Sequence, residues 1–431
     1  MPREWVNWGQ TATCTPARVE VPESVERIQE LVSAARSEGT QVKVVGTGHS
    51  FTDIACTTGI QVRLDRLTGL VDSDAQACTA TVRAGTTVLA CADLLDSCGL
   101  GFRNLGDIGY QTVAGAISTG THGTSATRPS ISGQVAALTL VTGTGEVLHC
   151  SADENPDVFA AARVGLGALG IITEVTLACE PAYNLETYEY GDDWRTVVDS
   201  IDELVATNEH FEFFWFPYTE VALVTRHNRT HQPRSSVNQL KKWFSTVVIG
   251  NYLWEGYLRS GRRNPARIPE INRKVVGKVE QSRRIARSDA AFTNERRVRF
   301  VEMEYNIPRA EIVPVLERIR ALIDREKYAV SFPVEVRFGP AEESWLSPAY
   351  DRESAWVAVH MYQGMPYHEY FEAVQEIMNW VDGRPHWGKL HFQTAETLAQ
   401  RYPRWDDFKA VRDRLDPDRV FANNYLDRVL G

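Results

Sequence analysis

Apolar and polar positions along the first 180 residues predict alternating helices and strands. Apolar residues spaced three and four apart predict a helix capped by Ser24 and ended by Gly39, whose buried side carries Val25, Ile28, Leu31, Val32 and Ala35. Shorter apolar runs predict the strands Gln41–Val45, Gln61–Leu64, Thr79–Val82, Val135–Val141 and Gly170–Leu177. Two further helices are predicted at Thr87–Cys98 and Asp157–Ala162. This half therefore reads as an α+β or α/β region.

The pattern changes near Pro181, where glycine becomes rarer and tryptophan and arginine more common. Val334–Phe338 alternates apolar and charged residues at strand period, so Glu335 and Arg337 point to the same side. The heavily apolar segment His210–Pro217 predicts another strand, and helices are predicted at Ala310–Glu326, Tyr367–Val381 and Trp405–Leu415. The basic stretch Arg259–Arg299 is interpreted as a solvated, partly helical face, with a membrane-surface or partner-binding role as the alternative.

Length and composition narrow the class of protein. A chain of 431 residues exceeds what one core usually holds, so we expect two domains. A formal net charge of −10 gives no electrostatic basis for binding nucleic acid. The seven cysteines form no CxxC pair, which predicts free thiols in a reducing compartment and no metal site. The N-terminus lacks a secretory pattern and no run is long enough to cross a bilayer, so we expect a cytoplasmic protein without a membrane anchor.

Three glycine-rich segments in the first half point to a ligand. Gly46–Phe51 (GTGHSF) follows a strand but departs from the dinucleotide fingerprint at its last glycine, and no helix pattern opens after it. A nicotinamide site is therefore disfavoured, whereas a phosphate-holding nest or a tight turn both remain open. Ala114–Ser125 and Gly165–Ile172 are the other two segments. Three such loops favour a long, flat cofactor held at several points.

These segments resemble the FAD domain of the vanillyl-alcohol oxidase and p-cresol methylhydroxylase (PCMH) superfamily of flavoproteins. In the second half, HFEFFWFPYT, VEVRF, RPHWGKLH and LDPDRVFANNYLDRVL resemble the aldonolactone oxidoreductases and the related alditol oxidases. The resemblance implies an α+β flavoprotein with two domains. A PCMH-type FAD-binding domain would span residues 1–180, and an antiparallel-sheet substrate domain flanked by helices would span 181–390. A C-terminal segment, 391–431, would return to the FAD domain.

The resemblance also implies which residues hold the cofactor. His49 matches the histidine that bonds covalently to the flavin 8α-methyl carbon, although some relatives bind flavin without this bond. His122 is either a cofactor contact or a brace for its loop. The full set of implied FAD contacts comprises Gly46, Thr47, Gly48, His49, Ser50, Phe51, Gly106, Gly115, Ser118, Gly120, Thr121, His122, Gly123, Gly170, Ile172, His386 and Lys389.

Four residues are implied in the chemistry: Glu335, Arg337, Lys389 and Asp107. An alcohol must lose its hydroxyl proton while its carbon delivers hydride to flavin N5. Arg337 and Lys389 would polarise the reacting hydroxyl group, and Glu335 would orient the sugar. Glu335 is alternatively the general base, a role that the adjacent Arg337 would weaken.

The resemblance predicts FAD-dependent oxidation of an aldonolactone such as L-gulono-γ-lactone. Asp107 stands where alditol oxidases carry serine, so oxidation of polyols such as xylitol or sorbitol is the second choice. Gly106 would leave a path for oxygen, which favours an oxidase over a dehydrogenase that uses another acceptor. A flavin- or sugar-binding protein without turnover and a nicotinamide dehydrogenase are the remaining alternatives.

Overall fold

The computed structural model describes residues 4–235, 254–277, 280–293 and 298–431. These residues pack around two hydrophobic cores, the first formed mainly by residues 28–185 and the second by residues 194–381. The end of the chain packs into the first core, where Leu398, Phe408, Tyr425 and Leu430 are buried. The domain limits at residues 180 and 390 stay predictions.

The sheets are mostly antiparallel, and the predicted α+β class is confirmed. The first core contains a three-stranded parallel sheet in the order Arg18–Glu20, Ile60–Arg63, Val42–Val45. It also contains a five-stranded antiparallel sheet in the order Val147–Ser151, Val135–Val141, Ile171–Ala178, Thr79–Arg83, Leu70–Asp74. Two-stranded pairs are formed by Trp5–Val6 with Thr13–Cys14 and by Leu100–Gly101 with Glu180–Pro181.

The second core is built on one antiparallel sheet of eight strands. Their spatial order is Ser282–Arg287, Asn184–Asp193, Val221–Thr230, His210–Trp215, Val334–Gly339, Ser354–Tyr362, Phe300–Pro308, Arg384–Pro385. One face of this sheet packs on the helices Ile312–Glu326 and His368–Asn379, which supply much of the second core. The opposite face is available to form the wall of a site.

The remaining helices lie in both halves. Those before residue 200 are Val25–Glu38, Val88–Ser97, Val113–Ser118, Pro156–Ala162 and Trp194–Asp199. The later ones are Ile201–Thr207, Trp254–Arg263, Ile268–Val276, Ser288–Phe292, Ala395–Ala399, Trp405–Leu415 and Asn424–Leu430. Among the residues that the structure describes, no helix is both long and apolar enough to span a membrane.

The first helix forms as its sequence pattern predicts. The Ser24 hydroxyl accepts a hydrogen bond from the Arg27 N–H at 3.2 Å. Gly39 ends the helix with φ of 63°, a left-handed conformation that glycine adopts without a steric cost. Ile28, Leu31, Val32 and Ala35 are buried on one side. Local capping and apolar spacing were sufficient to place this element.

The basic stretch Arg259–Arg299 is partly helical, in Trp254–Arg263, Ile268–Val276 and Ser288–Phe292. Between the last two helices it forms the strand Ser282–Arg287 at the edge of the large sheet, which the sequence did not predict. The side chain of Arg283 pairs with Glu186 on the neighbouring strand. A charged run can form an edge strand when oppositely charged residues of the neighbouring strand pair with it, and here that strand lies far away in the sequence. Residues 278–279 and 294–297 of the stretch lie outside the described residues.

Candidate active site

The wider of two adjoining cavities opens between the first core and the free face of the large sheet, and the narrower one is lined by residues between Trp5 and Ile172. The wider cavity has a volume of about 700 Å³ and the narrower one about 120 Å³. Both are lined by His49, Ser50, Gln111 and Thr119, so these residues mark their junction. A long ligand could therefore occupy both.

The narrower cavity collects most of the glycine-rich positions that the sequence singled out. Its lining includes Gly46, Thr47, Gly48, His49, Ser50, Gly115, Ser118, Gly170 and Ile172. A Cβ atom at Gly46 would lie 2.6 Å from Thr112 Oγ1, so the loop and the helix Val113–Ser118 can approach each other only because this residue is glycine. No helix opens after Phe51, as predicted. A narrow cavity lined by backbone and hydroxyl groups suits the diphosphate and ribose of FAD.

His49 lies at the junction of the two cavities. Its Nδ1 is 2.9 Å from Thr47 Oγ1, and its ring stacks on Trp8 with centroids 6.1 Å apart. Burial, with a smaller contribution from Lys389, lowers the pKa of His49 to about 4. The ring is therefore neutral at physiological pH, and a neutral imidazole has a lone pair on one nitrogen.

Two of the predicted cofactor contacts do not line either cavity. Gly120 has φ of 73° and forms the turn that ends the helix Val113–Ser118. A Cβ atom at Gly123 would lie 2.2 Å from the Leu105 carbonyl oxygen. These two glycines allow chain segments to pack closely, and the structure does not bring them to the cofactor cavity.

Glu335 and Arg337 lie side by side on the sheet face that lines the wider cavity. Their strand alternates, with Val334, Val336 and Phe338 buried in the second core. Arg337 Nη2 is 2.6 Å from Glu335 Oε1, and Arg337 Nε is 2.8 Å from Glu212 Oε2. Both side chains of the first pair are mostly buried, so this is a desolvated ion pair within the cavity wall.

Lys389 reaches the same wall from the loop 386–390, whose backbone is fixed on two sides. The N–H groups of His386 and Leu390 donate to the carbonyl oxygens of Glu304 and Glu302, each at 2.9 Å. The Gly388 carbonyl accepts a hydrogen bond of 2.7 Å from the Phe51 N–H. The loop therefore connects the large sheet to the GTGHSF segment, and it carries Lys389 to within 5.3 Å of the Phe51 ring centre.

Three further ionisable residues of this wall, Glu302, Glu304 and His360, were not predicted from the sequence. Lys389 Nζ forms a short ion pair with Glu302 Oε2, and His360 Nε2 is 3.4 Å from Glu302 Oε1. The two glutamates alternate with apolar residues in the strand Phe300–Pro308, and this strand alternation is the signal that could have identified them. Both are buried, at 5% exposure. The wall is thus an array of paired charges.

His122 stacks on Trp356, with ring centroids 3.6 Å apart, and joins this array through Glu304. His122 Nδ1 is 2.9 Å from the Gly123 carbonyl oxygen, and Nε2 is 3.2 Å from Glu304 Oε1. Both ring nitrogens of His122 therefore face a hydrogen-bond acceptor, a carbonyl oxygen and a carboxylate. His122 therefore both braces its loop and lines the cavity.

His122, Glu304 and His386 are close enough to be considered as metal ligands, with potential ligand atoms within 4.8 Å of one another. However, the Gly388 N–H donates to His386 Nδ1 at 3.0 Å, so the neutral ring carries its proton on Nε2. Burial lowers the pKa of His386 to about 3, which keeps that ring neutral. The ring nitrogens of His122 and His386 Nδ1 are therefore already engaged in hydrogen bonds, and we assign no metal to this cluster.

Gly106 and Asp107 line the wider cavity opposite the charged wall. A Cβ atom at Gly106 would lie 2.8 Å from the carbonyl oxygen of His122, so a larger residue would displace the adjoining loop. Asp107 lies close enough to Arg337 to contribute to the electrostatic stabilisation of its cation. All four residues predicted to take part in the chemistry therefore line one cavity.

Comparison with known proteins identifies the class of fold and the family of this chain. A solved structure of cholesterol oxidase from B. sterolicum matches 100% of this chain and 97% of its own with a TM-score of 0.81, at 19% identity. That likeness shows that this chain has the same class of fold. Residues 16–151 match the FAD binding domain family, and residues 175–429 match the D-arabinono-1,4-lactone oxidase family. This chain belongs to the D-arabinono-1,4-lactone oxidase family.

Named relatives extend over the whole chain. L-gulono-1,4-lactone dehydrogenase from Mycobacterium tuberculosis is 41% identical, with 99% of both chains covered. L-gulonolactone oxidase from Bos taurus is 36% identical, with 98% of this chain and 97% of the relative covered. The resemblance inferred from the sequence motifs is thereby confirmed.

Proposed function

We propose that this chain is an FAD-dependent oxidoreductase that oxidises an aldonolactone such as L-gulono-γ-lactone at a CH–OH group. One observation carries the proposal. The pairs Glu335–Arg337 and Glu302–Lys389 face a single cavity that also reaches His49. A sugar-binding protein without turnover would have little use for so many buried charges, since each has a desolvation cost.

The protein residues supply binding, orientation and proton handling. FAD, when bound, supplies the hydride acceptor. Arg337 and Lys389 donate hydrogen bonds to the reacting oxygen and stabilise the negative charge that develops as its proton passes to a base, the role that the Glu335 carboxylate would take. Glu335 Oε1 is held by Arg337, which leaves Oε2 to accept a hydrogen bond from a substrate hydroxyl group. Such an arrangement fixes the reacting carbon in position before the chemical step.

The relatives favour a lactone over a polyol, because they are named as gulonolactone and arabinonolactone enzymes. Asp107 in the cavity wall supports the same choice, since it stands where alditol oxidases carry serine. The acceptor is less constrained: the relatives include both dehydrogenases and oxidases. Gly106 supports oxygen as the acceptor because the residue adds no side chain at this wall.

We also propose that His49 attaches the flavin covalently. Its support is the position of the neutral ring at the junction of the two cavities, where the ring end of a long cofactor would pass. A covalent bond would keep the cofactor in place and raise its reduction potential.

The seven free cysteines support a cytoplasmic location, because thiols persist in a reducing compartment.

The deciding experiment is anaerobic absorbance spectroscopy of the purified holoenzyme. L-gulono-γ-lactone in excess should bleach the oxidised flavin, and xylitol should not. Admission of air then tests oxygen as the acceptor through recovery of the oxidised spectrum. Bleaching by xylitol alone would overturn the lactone assignment, and a protein without a flavin spectrum would overturn the whole proposal.

A further inference from the structure

Glu302 occupies a central position in the charged wall. It is buried in the strand Phe300–Pro308, and it lies directly opposite His360 of the neighbouring strand in the sheet register. One carboxylate oxygen contacts Lys389 Nζ, and the other is 3.4 Å from His360 Nε2. A single buried carboxylate is thus shared between two basic groups.

The hydrogen bonds of His360 define its protonation state. Nδ1 is 3.0 Å from the Pro333 carbonyl oxygen, which can only accept, so Nδ1 carries a proton. Nε2 faces two carboxylates, Glu302 at 3.4 Å and Glu335 at 3.8 Å. A lone pair there would face only acceptors, so Nε2 also carries a proton. The geometry alone therefore indicates an imidazolium ion.

The surroundings of His360 make this charge depend on Glu302. The rings of Phe300 and Phe332 lie next to it, with centroids 5.3 and 6.0 Å away, so its neighbours on that side are apolar. The charged groups around His360 are Glu302 and Glu335, on the strands at either side of its own, and Lys389 on the loop 386–390. Lys389 is a like charge, and Glu335 already pairs with Arg337. Glu302 is consequently the nearest compensating charge.

The pKa values of these three groups are shifted in the directions that this geometry implies. Burial alone would lower the pKa of His360, but Glu302 and then Glu335 outweigh it and raise that pKa above the ordinary value. Burial would likewise lower the pKa of Lys389, but Glu302 and Glu304 raise it. Glu302 itself stays ionised, because Lys389 and His360 lower its pKa despite its burial.

We propose that Glu302 is a positioning residue that holds His360 as an imidazolium ion and Lys389 as an ammonium ion in the wall of the active site. The inference rests on the proposed function for its kinetic consequence, since Lys389 is there a donor to the reacting oxygen. Glu302 does so through its carboxylate, which contacts both cations, and through its backbone carbonyl, which anchors Leu390.

The test compares Glu302→Gln with Glu304→Gln in the flavin-loaded enzyme. Glu304→Gln is a matched control, because it removes an equally buried carboxylate from the same strand, one that pairs with His122. Histidine ring carbons labelled with ¹³C report protonation by NMR, and His360→Gln assigns the signal of His360. In Glu302→Gln the titration midpoint of His360 should fall by about 1–3 pH units, the usual effect of a close opposite charge. In Glu304→Gln it should stay near the wild-type midpoint.

A kinetic measurement tests the same idea through Lys389. As the pH is raised, the rate of flavin reduction by the lactone should begin to fall at a lower pH in Glu302→Gln than in the wild type. The reason is that His360 and Lys389 lose their protons at a lower pH in the variant. Glu302→Asp keeps the charge and should shift both readouts less, and it provides the test if Glu302→Gln does not fold.

Equal His360 midpoints in the wild type and in Glu302→Gln would overturn the inference, as would equal shifts in Glu302→Gln and Glu304→Gln. If no lactone reduces the wild-type flavin, the proposed function fails instead, and the NMR titration still decides the role of Glu302.

Discussion

Replacement of Lys389 by methionine tests the proposed chemistry most directly. Methionine keeps an apolar stem like that of the lysine, whereas the ammonium group, which lies 5.3 Å from the Phe51 ring centre, is lost. The side chain of Lys389 is 23% exposed, and its charge acts in a largely desolvated wall where electrostatic effects are weakly screened. The substitution therefore removes mainly one hydrogen-bond donor and one positive charge.

The expected loss in the rate of flavin reduction depends on the charged groups that remain in the variant. Loss of one preorganised donor to a developing oxyanion costs about 100- to 1000-fold in rate, or about 2.7–4 kcal/mol. Arg337 still lines the cavity in the variant, so we expect the lower end, about a 100-fold slower flavin reduction. Glu302 keeps His360 as a partner, which limits the penalty of leaving a buried carboxylate uncompensated.

The assay is anaerobic rapid mixing of the enzyme with lactone over a range of concentrations. A donor that acts mainly in the transition state lowers the limiting rate and leaves the apparent lactone affinity nearly unchanged. Lys274→Met is the matched control, because Lys274 also pairs with a glutamate, Glu270, but its side chain is 56% exposed to solvent. A limiting rate in Lys389→Met equal to that of the Lys274→Met control would remove Lys389 from the reacting site.

Three further predictions concern the cofactor, the acceptor and acid stability. His49→Ala should release its flavin into the supernatant on acid denaturation, while the wild type keeps it in the pellet; flavin that stays with the variant's pellet would sink the attachment at His49. Gly106→Ala should slow reoxidation by oxygen more than reduction by lactone in rapid mixing, because the added Cβ crowds this wall, and equal slowing would argue against an oxygen path there. Burial lowers the pKa values of His210, His227 and His386 to about 4, 3 and 3. Only the unfolded chain then binds these protons between about pH 6.5 and 4, so each residue should cost about 1.4 kcal/mol of stability per pH unit of acidification in that range. A thermal unfolding midpoint that is unchanged from pH 7 to 5 would contradict this.

Sequence patterns predicted the elements whose signals are local. The helix after Ser24 has a cap, a stop and an apolar face within fifteen residues, and the alternation of Val334–Phe338 placed Glu335 and Arg337 on the same face. The GTGHSF loop carried both a glycine pattern and a family resemblance. These features needed no knowledge of distant contacts.

The missed residues depend on contacts that are distant in sequence. Glu302 faces His360 only because two strands pair in a particular register, and Lys389 joins them from the loop that follows the short strand Arg384–Pro385. A glutamate that alternates with apolar residues is equally compatible with a solvent-facing strand. The edge strand Ser282–Arg287 was missed for the same reason, since its stabilising partners lie almost a hundred residues away.

The loop 386–390 has a mechanical consequence for the enzyme. Its Trp387 side chain is fully buried in the first core, where its Nε1–H donates to the Leu346 carbonyl oxygen at 2.7 Å. Two residues later, Lys389 is held by the sheet of the second core. Any rotation of one core against the other must therefore strain this short span. The position of Lys389 therefore depends on how the two cores are aligned, and the active site is complete only when both are in their correct relative position.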